Sequence, residues 1–164
     1  MATLIEDIKV QSNWIIKAFK ADGLTLDHSI NSFIELDKFF QLHAENGQAI
    51  KGRRLSKNLG SIIFSIASYI GETLTKTVPG SVWETDDSDP QGEMNIAVKL
   101  PDGTTCWPAH RVIKRFQNGL EDGIYPYGFE LTKSIINDDF DDSFWKIEKE
   151  VKPLEPKKPF WKFW

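Results

Sequence analysis

The stretch LGSIIFSIASYIGETL, Leu59 to Leu74, decides how the rest of the chain is read. With Leu55 just upstream, the apolar residues Leu59, Ile62, Ile63, Ile66, Ile70 and Leu74 recur at intervals of three and four, the period of an α-helix. Gly60, Ala67 and Gly71 lie among them and leave room for a second element to approach closely. A helix this apolar is more buried than one lying on a surface. The spacing therefore predicts a central helix.

Upstream, Leu4, Ile5, Ile8, Ile15, Ile16 and Phe19 carry helical spacing from Leu4 to Ala21, where Asp22-Gly23 ends the run. Thr25 or Asp27 can cap a second helix with the stripe Ile30, Phe33, Ile34, Leu36, Phe40 and Leu42. Asn46-Gly47 closes that helix as a left-handed cap. Downstream, Pro79-Gly80 marks a change of period. Ser81 to Thr85 reads as a short strand, and Asp86 to Gly92 as a polar loop. Met94, Ile96, Val98 and Leu100 alternate with polar or small residues, as a half-buried strand does. Pro101-Asp102-Gly103 turns the chain, and Thr104 to Trp107 returns beside it. Pro108 starts a helix whose Val112, Ile113 and Phe116 face the core, with Arg111, Lys114 and Arg115 around them. Asn118-Gly119 stops it, and a less regular segment runs from Glu121 to Ile136. Val151 to Lys158 reads as an extended linker.

These elements predict an α+β fold. About three helices form an N-terminal layer packed on a small antiparallel sheet, followed by one or two helices and an extended aromatic C-terminal tail. Residues 1–150 form a single domain and residues 151–164 the tail, in a chain of 164 residues.

A formal net charge of -4 argues against nucleic acid as a partner, since that affinity comes from clustered cations on phosphates. The opening residues Met1 to Asp7 lack the basic region and apolar run of a signal peptide, so cytoplasmic residence is expected. The run Ile62 to Ile70, broken by Ser65 and Ser68, is too short to span a bilayer.

From Leu59 to about Tyr127 the chain resembles several small bacterial domains of unknown function. The residues that carry this are Leu59-Gly60, Tyr69-Ile70-Gly71-Glu72-Thr73-Leu74, Trp83, the Leu100-Pro101-Asp102-Gly103 hairpin, Val112 to Gly119 and Asp122-Gly123-Ile124. Some small cytoplasmic proteins of this kind are immunity proteins that neutralise a toxin. The resemblance implies a toxin-binding role and carries over no catalytic residue.

The chemistry-bearing constellations are sparse. Cys106 is the single cysteine, and His110 lies four residues on. A hydrolase or transferase built on them needs thiol and imidazole within hydrogen-bond reach; the competing reading is a strand cysteine acting as a small hydrophobe. His28, His43 and His110 share no metal-ligand spacing. Asp87, Asp89, Gln91 and Gly92 copy the opening of a calcium loop, but its twelfth position is Val98. No metal and no cofactor is expected. Glu35 and Asp37, two apart on a helix, point to different faces. The clusters Lys51-Arg53-Arg54-Lys57 and Arg111-Lys114-Arg115 read as solvated helix faces, with contact to phosphate or an acidic protein as the alternative.

Two features point to a protein partner. Asp138, Asp139, Asp141 and Asp142 surround Phe140 and precede Phe144-Trp145; they form either a charged surface for a basic partner or the capped start of a helix. The chain then closes on Phe160, Trp161, Lys162, Phe163 and Trp164, whose rings need a cover: the protein's own body, another copy, a partner or a membrane interface. Docking on the body or on another copy is the expectation. Non-catalytic protein binding is therefore the expected function, with toxin neutralisation as its specific form. A Cys/His enzyme and a peripheral membrane or scaffold protein attached through the tail are the alternatives.

Overall fold

Residues 59–77 fold as the predicted long helix, and the other elements are laid around it. The computed structural model describes residues 2–158. Helix α1 (Leu4–Ala21) starts with a reciprocal capping box: Glu6 N–H donates to Thr3 Oγ1 and Thr3 N–H to Glu6 Oε2, each at 3.2 Å. The remote Asp87 accepts the Leu4 N–H at 2.8 Å. Helix α1 packs along α3 (Leu59–Thr77) with Ile8 and Ile15 buried, while Phe19 stacks on Phe39 at 4.8 Å. Every residue of α3 from Ile62 to Gly71 is buried, which requires covers on several sides. Those covers are α1, the sheet, and α4 (Pro108–Asn118), with Pro108 at its first turn as expected.

Strands β1 (Ala44–Glu45) and β2 (Gln48–Ala49) form a small hairpin. The main sheet is antiparallel, in the order β3 (Val82–Glu84), β4 (Ala97–Lys99), β5 (Thr105–Cys106). Trp83 pairs with Val98, and Val98 with Cys106. The turn closes where expected, with Leu100 N–H on the Thr104 carbonyl at 2.8 Å. Trp83 ties this sheet to α3: its ring lies in the space that a Cβ on Gly71 would fill, and its Nε1 donates to Glu72 Oε2 at 3.2 Å.

Several expectations are corrected. Gly60 is exposed with nothing near it, because it sits in the first turn of α3, beyond the packed stretch. Helix α2 (Phe33–His43) follows a 3-10 turn at Ile30–Ser32 capped by Ser29, while Asp27 accepts from Ser29 instead of capping the helix. Asn46 and Gly47, with φ of 53° and 74°, form the two-residue turn of the β1–β2 hairpin, which needs positive φ at both positions. The Met94–Leu100 strand is regular only over β4, because residues 91–95 coil into turns. Segment 121–136 divides into the end of a 3-10 turn (Gly119–Asp122) and α5 (Ile124–Thr132). The Val151–Lys158 segment is no free linker: Leu154 N–H reaches the Leu42 carbonyl at 2.8 Å, and Lys157 N–H that of Lys51 at 3.0 Å.

Arg115 is the largest departure. Expected at the rim of α4, it is only 2% exposed and reaches α2, where Nε donates to Asp37 Oδ1 and Nη2 to the Asp37 carbonyl, each at 2.8 Å. The same carboxylate accepts the N–H groups of Ile124 and Tyr125 at 2.9 Å. Helix α5 begins at Gly123, which has no side chain to cap it, so Asp37 supplies the cap from another helix. Burial pushes the Asp37 carboxyl up and the Arg115 guanidinium down; each holds the other charged.

Asp37→Ala or Arg115→Met should each cost about 3–5 kcal/mol, since either leaves a buried charge unpaired. The double variant should cost clearly less than the two singles together, as read from urea denaturation. Additive losses would show that the pair is not coupled.

Candidate functional site

The acidic segment is mounted on α5. Buried Tyr125 accepts the Asp141 N–H on its hydroxyl at 2.8 Å, which fixes the chain where it turns. Phe140 is thereby held 4.9 Å from the Tyr125 ring and 5.2 Å from that of Phe129. Phe144 is buried against Gly123, where a Cβ would lie 2.7 Å from its ring. Trp145 stacks on Phe140 at 5.5 Å and meets Phe144 edge-on at 5.1 Å, yet remains 66% exposed. A large ring is thus held rigidly from below and open above, with Ile135 also exposed.

Asp138, Asp139 and Asp142 are exposed, and Asp141 is half-buried. Asp141 Oδ1 accepts the Ser143 N–H at 3.0 Å and caps the 3-10 turn Asp142–Lys146, which leads into the short α6 (Ile147–Glu150). The hydrogen bonds from Ser143 also hold its pKa below the ordinary value. The helix-start reading therefore describes Asp141, while the other three carboxylates remain outward. None of the four forms an ion pair among the described residues. Burial pushes the Tyr125 hydroxyl up, and the charges of Asp141, Asp138 and Asp142 add to the rise. Phe160, Trp161, Phe163 and Trp164 lie outside the described residues.

Cys106 and His110 are not joined. The thiol is fully buried, and burial raises its pKa to about 11 against the opposing effect of Tyr127 and Arg111. His110 is exposed, stacked beside Trp107, with Nε2 3.3 Å from Asn95 Oδ1. The geometry provides no thiolate and no adjacent base. The calcium-like loop spends its carboxylates internally: Asp87 on Leu4 N–H, and Asp89 on Gln91 N–H and Asn95 Nδ2. Among the described residues, no three His, Cys, Asp or Glu side chains converge as metal ligands, and no helix is long and apolar enough to cross a membrane.

The basic clusters are solvated helix faces only in part: on α4, Lys114 is exposed. Arg115 is internal, and Arg111 pairs with Asp122 at 3.4 Å and lies over the Tyr127 ring. Arg53 and Arg54 belong to the loop before α3, where Arg54 pairs with Asp22 at 2.7 Å and Arg53 Nε holds the Glu155 carbonyl at 2.8 Å. This loop, α1 and the 151–158 segment enclose an open groove of about 1250 Å³. His43, 6% exposed, contributes to its wall, and its Nδ1 has no hydrogen-bond partner among the described residues. The periodic patterns gave no sign of this groove, whose walls lie far apart in the chain. The only available hint was the pair Val10 and Trp14, apolar residues off the buried stripe of α1.

Comparison with protein-family models, curated proteins and solved structures finds no match.

Cys106 should resist thiol reagents in the native protein and react only on unfolding; rapid labelling by Ellman's reagent without denaturant would contradict its burial. His43 supplies a pH test. Burial lowers its pKa below the ordinary 6.5, Asp22 opposes this, and Arg54 and Arg53 reinforce it. The unfolded chain therefore takes up the proton first, so this stability is full above the ordinary value and is lost as pH falls below it. Between about pH 7.5 and 5.5 the melting temperature should fall, and His43→Phe should flatten that slope. His28, also lowered by burial, should retain the remainder.

Proposed function

We propose that this chain is a non-catalytic protein-binding domain, and specifically a cytoplasmic immunity protein that neutralises a bacterial toxin through the edge around Trp145. The observation that carries this reading is the exposed Trp145 ring, stacked on Phe140 and bordered by the outward carboxylates of Asp138, Asp139 and Asp142. A tryptophan that becomes buried on binding is a frequent centre of interface energy, and one already held in place loses little freedom on binding. Unpaired carboxylates around it attract a partner with a basic surface and repel an acidic one. The partner's Arg or Lys side chains would take the carboxylates while an apolar pocket receives Trp145.

The resemblance of residues 59–127 to small bacterial domains supplies the toxin-specific form of this proposal. The acidic edge lies beyond that stretch, so the binding reading stands on its own residues.

The test is co-expression with a toxin encoded beside the gene. The native chain should restore growth. Trp145→Ala should weaken the complex by about 30-fold or more. Asp138→Lys with Asp139→Lys should slow association and reverse its salt dependence. All three positions are exposed, so the melting temperature should hardly move. Unchanged protection by the combined variant would remove this edge from the function.

A further inference from the structure

A partner for the Trp145 edge must be apolar and basic, and the groove beside α1 is both. On its α1 wall, Val10 and Trp14 are one helical turn apart and are 63% and 50% exposed, so no described residue covers them. Ile62 and Leu42 add apolar surface to the same lining. Arg54 and Asp22 pair with each other, and Arg53 is taken up by the Glu155 carbonyl, so these three are structural. The open charge of the groove belongs to Lys57 and Lys157, both exposed and in no ion pair among the described residues. We propose that this groove receives the acidic edge around Trp145 of a second copy of the chain.

The two surfaces match in both kinds of chemistry. Trp145 is an exposed ring held on Phe140, and Ile135 is exposed as well. A groove of about 1250 Å³ has room for that ring, and Trp14 offers it an aromatic face. Asp138, Asp139 and Asp142 bring three outward carboxylates, and Lys57 and Lys157 bring two ammonium groups.

The groove is not filled by its own edge. Tyr125 holds the Asp141 backbone, Phe140 and Phe144 hold Trp145, and none of the edge residues lines the groove. A second molecule must therefore bring the edge, in a heterologous contact that joins one surface of a copy to a different surface of the next. One edge in one groove lies at the small end of interfaces, below roughly 1,200 Å², so the association is weak and reversible. While it lasts the edge is hidden, and any other partner for Trp145 must displace the second copy. This self-association rests on the edge being a binding surface and needs no toxin.

Sedimentation equilibrium of the full chain alone tests this. The average mass should rise above that of one chain between about 1 μM and 1 mM, and should rise less in about 0.5 M salt, which screens exposed charges. Trp145→Ala should weaken association about tenfold or more, and so should Lys57→Glu with Lys157→Glu, which sets an acidic edge against an acidic groove. Asp138→Lys with Asp139→Lys should do the same by setting a basic edge against a basic groove. Mixing the two charge variants restores opposite charges at both contacts, so the mixture should associate as the native chain does. Lys76→Glu with Lys99→Glu, exposed and outside both surfaces, carries the same change in net charge as the groove variant and should leave association unaltered. All these positions are exposed, so the melting temperatures should stay native. Three results would overturn the proposal: a native chain still monomeric at about 1 mM, charge variants that stay apart when mixed, or a control as weak as the groove variant. The groove would then belong to a different partner. Because no toxin is present, failure here leaves toxin neutralisation standing, and failure of neutralisation leaves this contact standing.

Discussion

The carboxylate of Asp37 is enclosed by protein on every side, and three donors share it: Arg115 Nε and the N–H groups of Ile124 and Tyr125. Taking a carboxylate and a guanidinium out of water costs several kcal/mol per ion, a cost recovered only when geometry is good and remaining donors are satisfied. That demand fixes positions. Helix α2 must present Asp37, α4 must turn Arg115 inward, and α5 must start at Gly123 with its first N–H groups on the carboxylate. No small sliding of any one helix keeps all the bonds, so the pair sets the register of three helices. Hydrophobic burial supplies most of the attraction in this core, but it is not directional; the ion pair is.

This constraint extends to the surface. Tyr125 is placed by its own N–H bond to Asp37, and its hydroxyl then holds the Asp141 backbone. Phe140, Phe144 and Trp145 are stacked from that anchor outward. The acidic edge is thus a rigid feature built on the buried pair, although its residues belong to a short, irregular segment. Elsewhere in the fold, α1 packs along α3 with Ile8 and Ile15 buried, while the loop before α3 and the 151–158 segment are tied by a backbone hydrogen bond. The two surfaces have separate supports and separate chemistry, one acidic and the other mixed apolar and basic.

Local signals were legible wherever a short stretch carries enough information. The bounds of α1, the central position of α3, the turn at Asp102-Gly103 and the start of α4 at Pro108 all follow from periodicity, turn chemistry or the missing proline N–H. Asn46-Gly47 shows where such signals become ambiguous. Asn and Gly favour positive φ both at a helix end and in a two-residue hairpin, and the pairing of Ala44 with Ala49 decides between them. In the candidate site, the acidic and aromatic composition identified the segment, but not which carboxylate caps a turn and which faces outward.

The sequence by itself determined the elements: helical and strand periods, proline and glycine punctuation, and an α+β order of helices around a small sheet. Tertiary structure alone decided the direction of Arg115, the role of Asp37 as a cap for another helix, the exposure of Trp145 over Phe140, and the groove beside α1. The reason is distance along the chain. Period and turn preference are properties of neighbouring residues, whereas Asp37 and Arg115 are 78 residues apart and Asp37 and Tyr125 are 88. A charged residue on an amphipathic helix reads as solvent-facing until a partner is brought to it, and only the folded chain brings that partner.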